Sequence, residues 1–138
     1  MKYISGIHAL NLPCGLETCG DWHTSALRWN NVKDKMLDSN NSIFGDWGIE
    51  ECSCVPENPG KYFIANTIRA LLDLLVESNF TVAQGMKEDF ICNDNYTDLV
   101  FEKVIILKNN HNWKDIDKFI EREYKLQWLN YKKANKIV

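Results

Sequence analysis

The stretch "IANTIRALLDLLVES", residues 64–78, constrains the fold more than any other part of the chain. Ile64, Ile68, Leu71 and Leu75 recur at i, i+4, i+7 and i+11, with Asn66, Arg69, Asp73 and Glu77 on the opposite side. Leu72, Leu74 and Val76 widen the apolar arc well beyond a surface stripe, so a helix here has to be covered by the rest of the molecule. The expected helix runs over 61–78. Asn58 is its expected N-cap, with Pro59 at the first helical position, and Asn79 is its expected left-handed C-cap. A chain of 138 residues with 45% hydrophobic residues has enough apolar surface to cover it. One domain spanning 1–138 is expected, and disorder is not.

The half before this helix, residues 1–57, reads differently. Short apolar stretches ("YISGIHALNL", "TSALRWNNV", "SIFGDWGIEECSCV") alternate with Pro, Gly, Asn and Asp, the pattern of strands and turns. In the first stretch both parities are apolar, as in a strand covered on both faces. Residues 58–138 read as helical. Phe80–Ala83 reads as a short strand, and Asp94 or Asn95 as the cap of a second helix. The β-branched run Val104–Ile106 leaves a strand open there. Asn112 caps a last helix carrying Trp113, Ile116, Ile120, Tyr124 and Trp128 on one face. The fold class expected is α+β, a small antiparallel sheet from the N-terminal half packed against about three C-terminal helices.

No apolar run approaches the ~20 residues a bilayer requires. Tyr3, Ser5, His8 and Asn11 interrupt the amino-terminal apolar stretch, which argues against a signal peptide and for a cytoplasmic protein. In a reducing compartment the five cysteines are expected as free thiols. The net charge of −3 argues against nucleic acid as a partner.

Chemistry-bearing residues concentrate in "CGDWHTSALRW", residues 19–29. Cys14, Cys19, His23, Cys52 and Cys54 are the right ligand types for zinc. Only Cys52 and Cys54 have close spacing, so no cofactor is expected and zinc is the alternative. Cys19 or Cys14 could serve as a nucleophile with His23 as base and Asp21 or Asp46 as orienter. Gly20 and Asp21 favour a turn, however, and catalytic dyads usually assemble from distant positions. "CGDWH" and "FGDWG" both contain Gly-Asp-Trp, so Trp22 and Trp47, with Arg28 nearby, could wall a pocket built by residues 14–54 for a nucleotide-like ligand. The plainer reading has both indoles anchoring loops to the core. Lys125, Lys132, Lys133 and Lys136, interleaved with Trp128 and Tyr131, form a basic end that suits phosphates or, more simply, a helix C-terminus. No GxxxxGK, GxGxxG, HExxH or GxSxG motif occurs.

The strings "YISGIHALNLPCGLETCGDWHTSALRW", "SIFGDWGIEE", "RALLDLL" and "AQGMKEDFICNDNY" resemble a family of small uncharacterised bacterial proteins carried on mobile elements, over nearly the whole chain. The resemblance implies an antitoxin-like role in toxin–antitoxin or phage-conflict systems. It implies no catalytic residue. The reading that follows is a protein-binding module, not an enzyme, whose partner is another protein such as a toxin or a phage or host factor. Trp22, Arg28, Trp29 and Trp47 are its first expected contact surface, and Trp128 with Tyr131 the second. An enzyme or small-ligand protein with the 14–54 pocket is the alternative.

Overall fold

A computed structural model describes residues 1–137. Its architecture is α+β. Strands β1 (Lys2–Tyr3), β2 (Leu37–Asp38), β3 (Ile49–Cys52) and β4 (Tyr62–Ala65) form two antiparallel pairs. Lys2 faces Asp38 and Tyr3 faces Leu37 in one pair; Ile49 faces Ala65 and Cys52 faces Tyr62 in the other. A parallel bridge between Ile4 and Ile64 joins the pairs: Ile4 N–H donates to Phe63 O at 2.9 Å, and Ala65 N–H to Ile4 O at 2.8 Å. The strands therefore lie in the order β2-β1-β4-β3.

Helices α1 (Gly6–Leu10), α2 (Thr67–Val76), α3 (Phe80–Ala83), α4 (Thr97–Ile105), α5 (Trp113–Tyr124) and α6 (Leu126–Ala134) surround the sheets. A π-helical turn, Met86–Ile91, lies between α3 and α4. Helix α2 is the hub, packed against α1, α3, α4, β4 and the π turn. No helix among the described residues is long and apolar enough to cross a membrane.

Helix α2 starts later than its periodicity predicts. Tyr62, Phe63 and Ile64 pair with β3, as aromatic and β-branched residues favour, and Asn66 caps the helix by accepting from Arg69 N–H at 2.9 Å. Asn58 instead ties down a loop, its amide donating to Trp29 O and Pro56 O, each at 2.8 Å. Ser78, not Asn79, takes the left-handed position after α2, and Asn79 caps α3 where a strand was expected. Gly6, at φ +61°, turns the first apolar stretch from strand into α1. The run Val104–Ile106 ends α4 and adds no strand. The last helix breaks at Lys125, which has a φ of +56°, yet Ile116, Ile120, Tyr124 and Trp128 are all buried as the spacing predicts. The Asn112 amide reaches Leu75 O and Ser78 Oγ instead of capping α5.

The expected polar side of α2 is not a solvent face. Arg69 is fully buried and all five of its guanidinium N–H donors are matched. Nε donates to Asp73 Oδ1 at 3.1 Å, and Nη1 to Gly45 O at 2.8 Å and to Trp47 O. Nη2 donates to Tyr3 Oη at 2.9 Å and Ser42 Oγ at 3.0 Å. Asp73 Oδ2 accepts from Tyr3 at 2.6 Å and Ser5 at 2.7 Å. One buried ion pair thus fastens β1 and the 42–48 loop to the central helix.

Candidate functional site

The loop 11–23 is where sequence and structure concentrate functional groups. Gly20, at φ +69°, brings the chain so close to α1 that a Cβ would sit 3.0 Å from Leu10 O. Asp21 N–H donates to that carbonyl at 2.8 Å. Cys19 and Gly20 N–H both donate to Phe90 O, at 3.0 and 2.9 Å, which docks the loop on the end of the π turn. The docking aligns Cys19 with Cys92, 5.9 Å apart Cα to Cα, and the two form a disulfide. Cys52 and Cys54 form a second, so Cys14 alone is a free thiol. The expectation of five free thiols is corrected on this point.

Asn11 organises the centre of the loop. Its amide nitrogen donates to Ile7 O and Asp21 Oδ2, and its oxygen accepts from His23 N–H at 2.6 Å. The Asp21 Oδ1 and His23 Nδ1 atoms are 2.5 Å apart, so the carboxylate orients the ring and leaves Nε2 toward solvent. Between them Trp22 sits at φ +37°, a left-handed conformation costly for an aromatic residue, and its side chain is 76% exposed.

The Asp21–His23 pair can orient an imidazole, but it has no nucleophile. Among the described residues no thiol or hydroxyl hydrogen-bonds the His23 ring. Cys19 is committed to its disulfide. Asp46 lies elsewhere, accepting from Ser39 Oγ at 2.6 Å. The Cys19, Asp21, His23, Asp46 set therefore does not converge. Nor do Cys14, Cys19, His23, Cys52 and Cys54: three are in disulfides here, and no group of three or more potential ligands clusters among the described residues.

Of the expected contact residues, Trp22 and Arg28 are exposed. Trp29 is core, edge-on to His8 at 4.9 Å with its indole N–H on Thr24 O at 3.1 Å, and so leaves the expected surface patch. Trp47 is half-buried beneath Lys103, whose Nζ lies 4.4 Å from the ring centroid. Trp128 is fully buried with its N–H on Asp117 at 2.8 Å, and half-buried Tyr131 packs on Phe101. The second expected surface is thus largely a packing face. Its lysine is also engaged, Lys132 pairing with Asp117 at 2.9 Å.

Beneath Trp22 a small cavity of about 150 Å³ reaches Cys14, Thr18 and Thr67. Thr18 and Thr67 hydroxyls are 2.6 Å apart, and the Cys14 sulfur is 3.5 Å from Thr67 Oγ1. This space is small for a nucleotide, given the ~300–1,000 Å³ of ordinary ligand sites. Asp46 and Trp47 take no part in it, and neither does Arg28. The residues that sequence reasoning missed are Asn11 and Phe90, whose roles arise from backbone carbonyls and an amide that carry no motif. In comparison with known proteins, no family model, no curated protein and no solved structure matches the chain.

Proposed function

We propose that the chain is a small cytoplasmic protein-binding module that engages another protein through Trp22. One observation carries the binding reading: an indole 76% exposed on a loop fixed from both sides despite a strained backbone. Asp21 and His23 N–H groups are each hydrogen-bonded, and the Cys19–Cys92 bond holds the loop three residues away. Such a residue presents about 200 Å² of contact area with little ordering left to lose on binding. Indoles of this kind are common binding hot spots. The complementary partner surface is an apolar slot.

The finer assignment, an antitoxin or inhibitor in a bacterial conflict system, rests on the word-level resemblance alone. The Cys19–Cys92 bond weighs against the cytoplasmic placement, because disulfides are rare in reducing compartments. Mass mapping of that pair in protein taken directly from its native cell decides the point.

The binding test is co-expression with the product of the adjacent gene. The wild-type chain is expected to co-purify with it in fixed stoichiometry. Trp22→Ala should abolish the complex while leaving the melting temperature in place, since the side chain contributes little to the core. A complex that persists with Trp22→Ala, or that never forms, overturns the reading.

A further inference from the structure

The loop that carries Trp22 is moored without a buried anchor. No residue from 13 to 28 is buried, and none from 92 to 96 on the segment it docks against. Besides the disulfide, four hydrogen bonds tie the two segments among the described residues. Cys19 and Gly20 N–H share the Phe90 carbonyl, Glu17 N–H donates to Tyr96 Oη at 3.0 Å, and the Asn93 amide donates to Glu17 O at 3.0 Å. The last two are exposed, and a hydrogen bond exchanged for one with water gains little.

Backbone strain works against this mooring. Trp22 at φ +37° and Cys92 at φ +46° both hold left-handed conformations that are costly for residues other than glycine. Two such residues cost an amount of the same order as the net gain from four hydrogen bonds of this kind. The cavity of about 150 Å³ under the loop, which Leu16, Thr18, Cys19 and Trp22 help to line, withholds further packing contacts. The balance is close, and the covalent bond decides it. Cys19 and Cys92 are also both exposed to attack, whereas Cys52 and Cys54 are half-buried against the core.

We propose that Cys19–Cys92 is a reversible redox switch for the Trp22 surface. The oxidised chain presents a fixed indole; the reduced chain keeps its fold, releases the loop and loses that surface. The functional consequence rests on the Trp22 reading, while the switch itself concerns the loop alone. Sensing of this sort is the usual role of the few disulfides found in reducing compartments. The electrons come from a small thiol of the glutathione class. Its thiolate attacks one exposed sulfur, forming a mixed disulfide and expelling the other cysteine as thiolate. A second small thiol attacks the small-thiol sulfur of that mixed disulfide and leaves as the oxidised small disulfide. Cys19 and Cys92 each end with one proton, two electrons having entered the protein.

The test is hydrogen–deuterium exchange of the full chain, resolved to single amides by NMR, before and after reduced glutathione. Thiol mapping by mass follows the bond. Glutathione is expected to open Cys19–Cys92 with the helical far-UV circular dichroism retained. The Cys19, Gly20 and Asp21 amides should then exchange at least roughly tenfold faster, at a rate that low urea does not change, because a local opening exposes little surface. Oxidised glutathione should restore their protection, and Cys92→Ser should show the fast exchange without any reductant. A purely structural staple behaves differently: its loss speeds these amides only through global unfolding, in step with the α2 amides and more steeply in urea. That pattern, unchanged exchange in the loop, or reduction only together with loss of the fold overturns the proposal. None of these readouts involves a partner, so a complex that fails to form strikes the binding reading and leaves this result in place.

Discussion

Arg69 and Asp73 stand one turn apart on α2 with Nε and Oδ1 3.1 Å apart, and neither side chain meets solvent appreciably. A pair of this kind is costly to bury and more costly to break, because removing one partner strands the other charge. Arg69→Ala should therefore destabilise the protein by about 3–5 kcal/mol, read as a lower urea midpoint at constant slope. Tyr3→Phe, which removes one hydrogen bond on each side of the pair, should cost about 1–3 kcal/mol. The double variant Arg69→Met, Asp73→Leu should recover part of the Arg69→Ala loss, since no charge is then left unpaired.

Gly48 is the point where the 42–48 loop touches the helix. It has a φ of +77°, and a Cβ there would lie 2.7 Å from Arg69 Cβ. Gly48→Ala combines left-handed backbone strain with overpacking against a side chain that cannot retreat. A loss of about 2–4 kcal/mol is expected by chemical denaturation. Gly45→Ala is the control: its φ is +55° but nothing lies within 4 Å, so only the backbone contribution should appear.

The Cys19–Cys92 bond closes a loop with a sequence separation of 73. On the chain-entropy account, reducing it should lower stability by about 4 kcal/mol. Denaturation with and without reductant measures the difference, and Cys19→Ser should reproduce it. Cys52 and Cys54, two residues apart, close almost no loop, so Cys52→Ser should change the midpoint far less.

Glu77 and Asp38 shift in opposite directions, with opposite consequences for pH. The Glu77 carboxyl is raised above its ordinary 4.5, so as pH rises through 4.5 the unfolded chain loses this proton before the folded one does. Stability should fall with rising pH from about there to the higher folded value, and Glu77→Gln should remove that slope. Asp38 is lowered below 3.8, by the Asn40 N–H first and the amino-terminal ammonium second. Its contribution is present above 3.8 and lost as pH falls through the lower folded value. Melting temperatures taken at closely spaced pH values separate the two.

The central helix was legible in the sequence because Ile68, Leu71 and Leu75 recur at helical spacing and Leu72 and Leu74 widen that stripe, and all five are buried. The face of α5 and α6 was legible for a similar reason. The helical period survives the break at Lys125 because Tyr124 and Trp128 still point at one core. Tyr62–Ala65 was misassigned because its apolar residues satisfy both periods, and only pairing with β3 decides between them. Arg69 and Asp73 were placed on the side opposite the apolar stripe, but their burial was not legible, because composition alone does not show the Gly45 and Trp47 carbonyls that receive the guanidinium. At the candidate site an orienting carboxylate for His23 was legible as two alternatives, Asp21 and Asp46, of which Asp21 touches the ring. The Cys19–Cys92 partnership was not, since it depends on Phe90 O accepting two N–H groups from a distant loop. Trp22 and Trp29 carry the same side chain and opposite exposures, a difference that residue type alone does not show.

The β2-β1-β4-β3 order has a bearing on synthesis. The opening strand lies between a segment made early, Leu37–Asp38, and one made later, Tyr62–Ala65, and Ile4 gains its backbone partners only from the latter. On the ribosome the first sixty residues must wait, with the Ile4 amide and carbonyl unmatched and Tyr3 lacking its Asp73 acceptor, until the helix hub has emerged. A fragment cut at residue 57 would keep that waiting state permanently. Such truncations are expected to collect in aggregates and not to yield a working half-molecule.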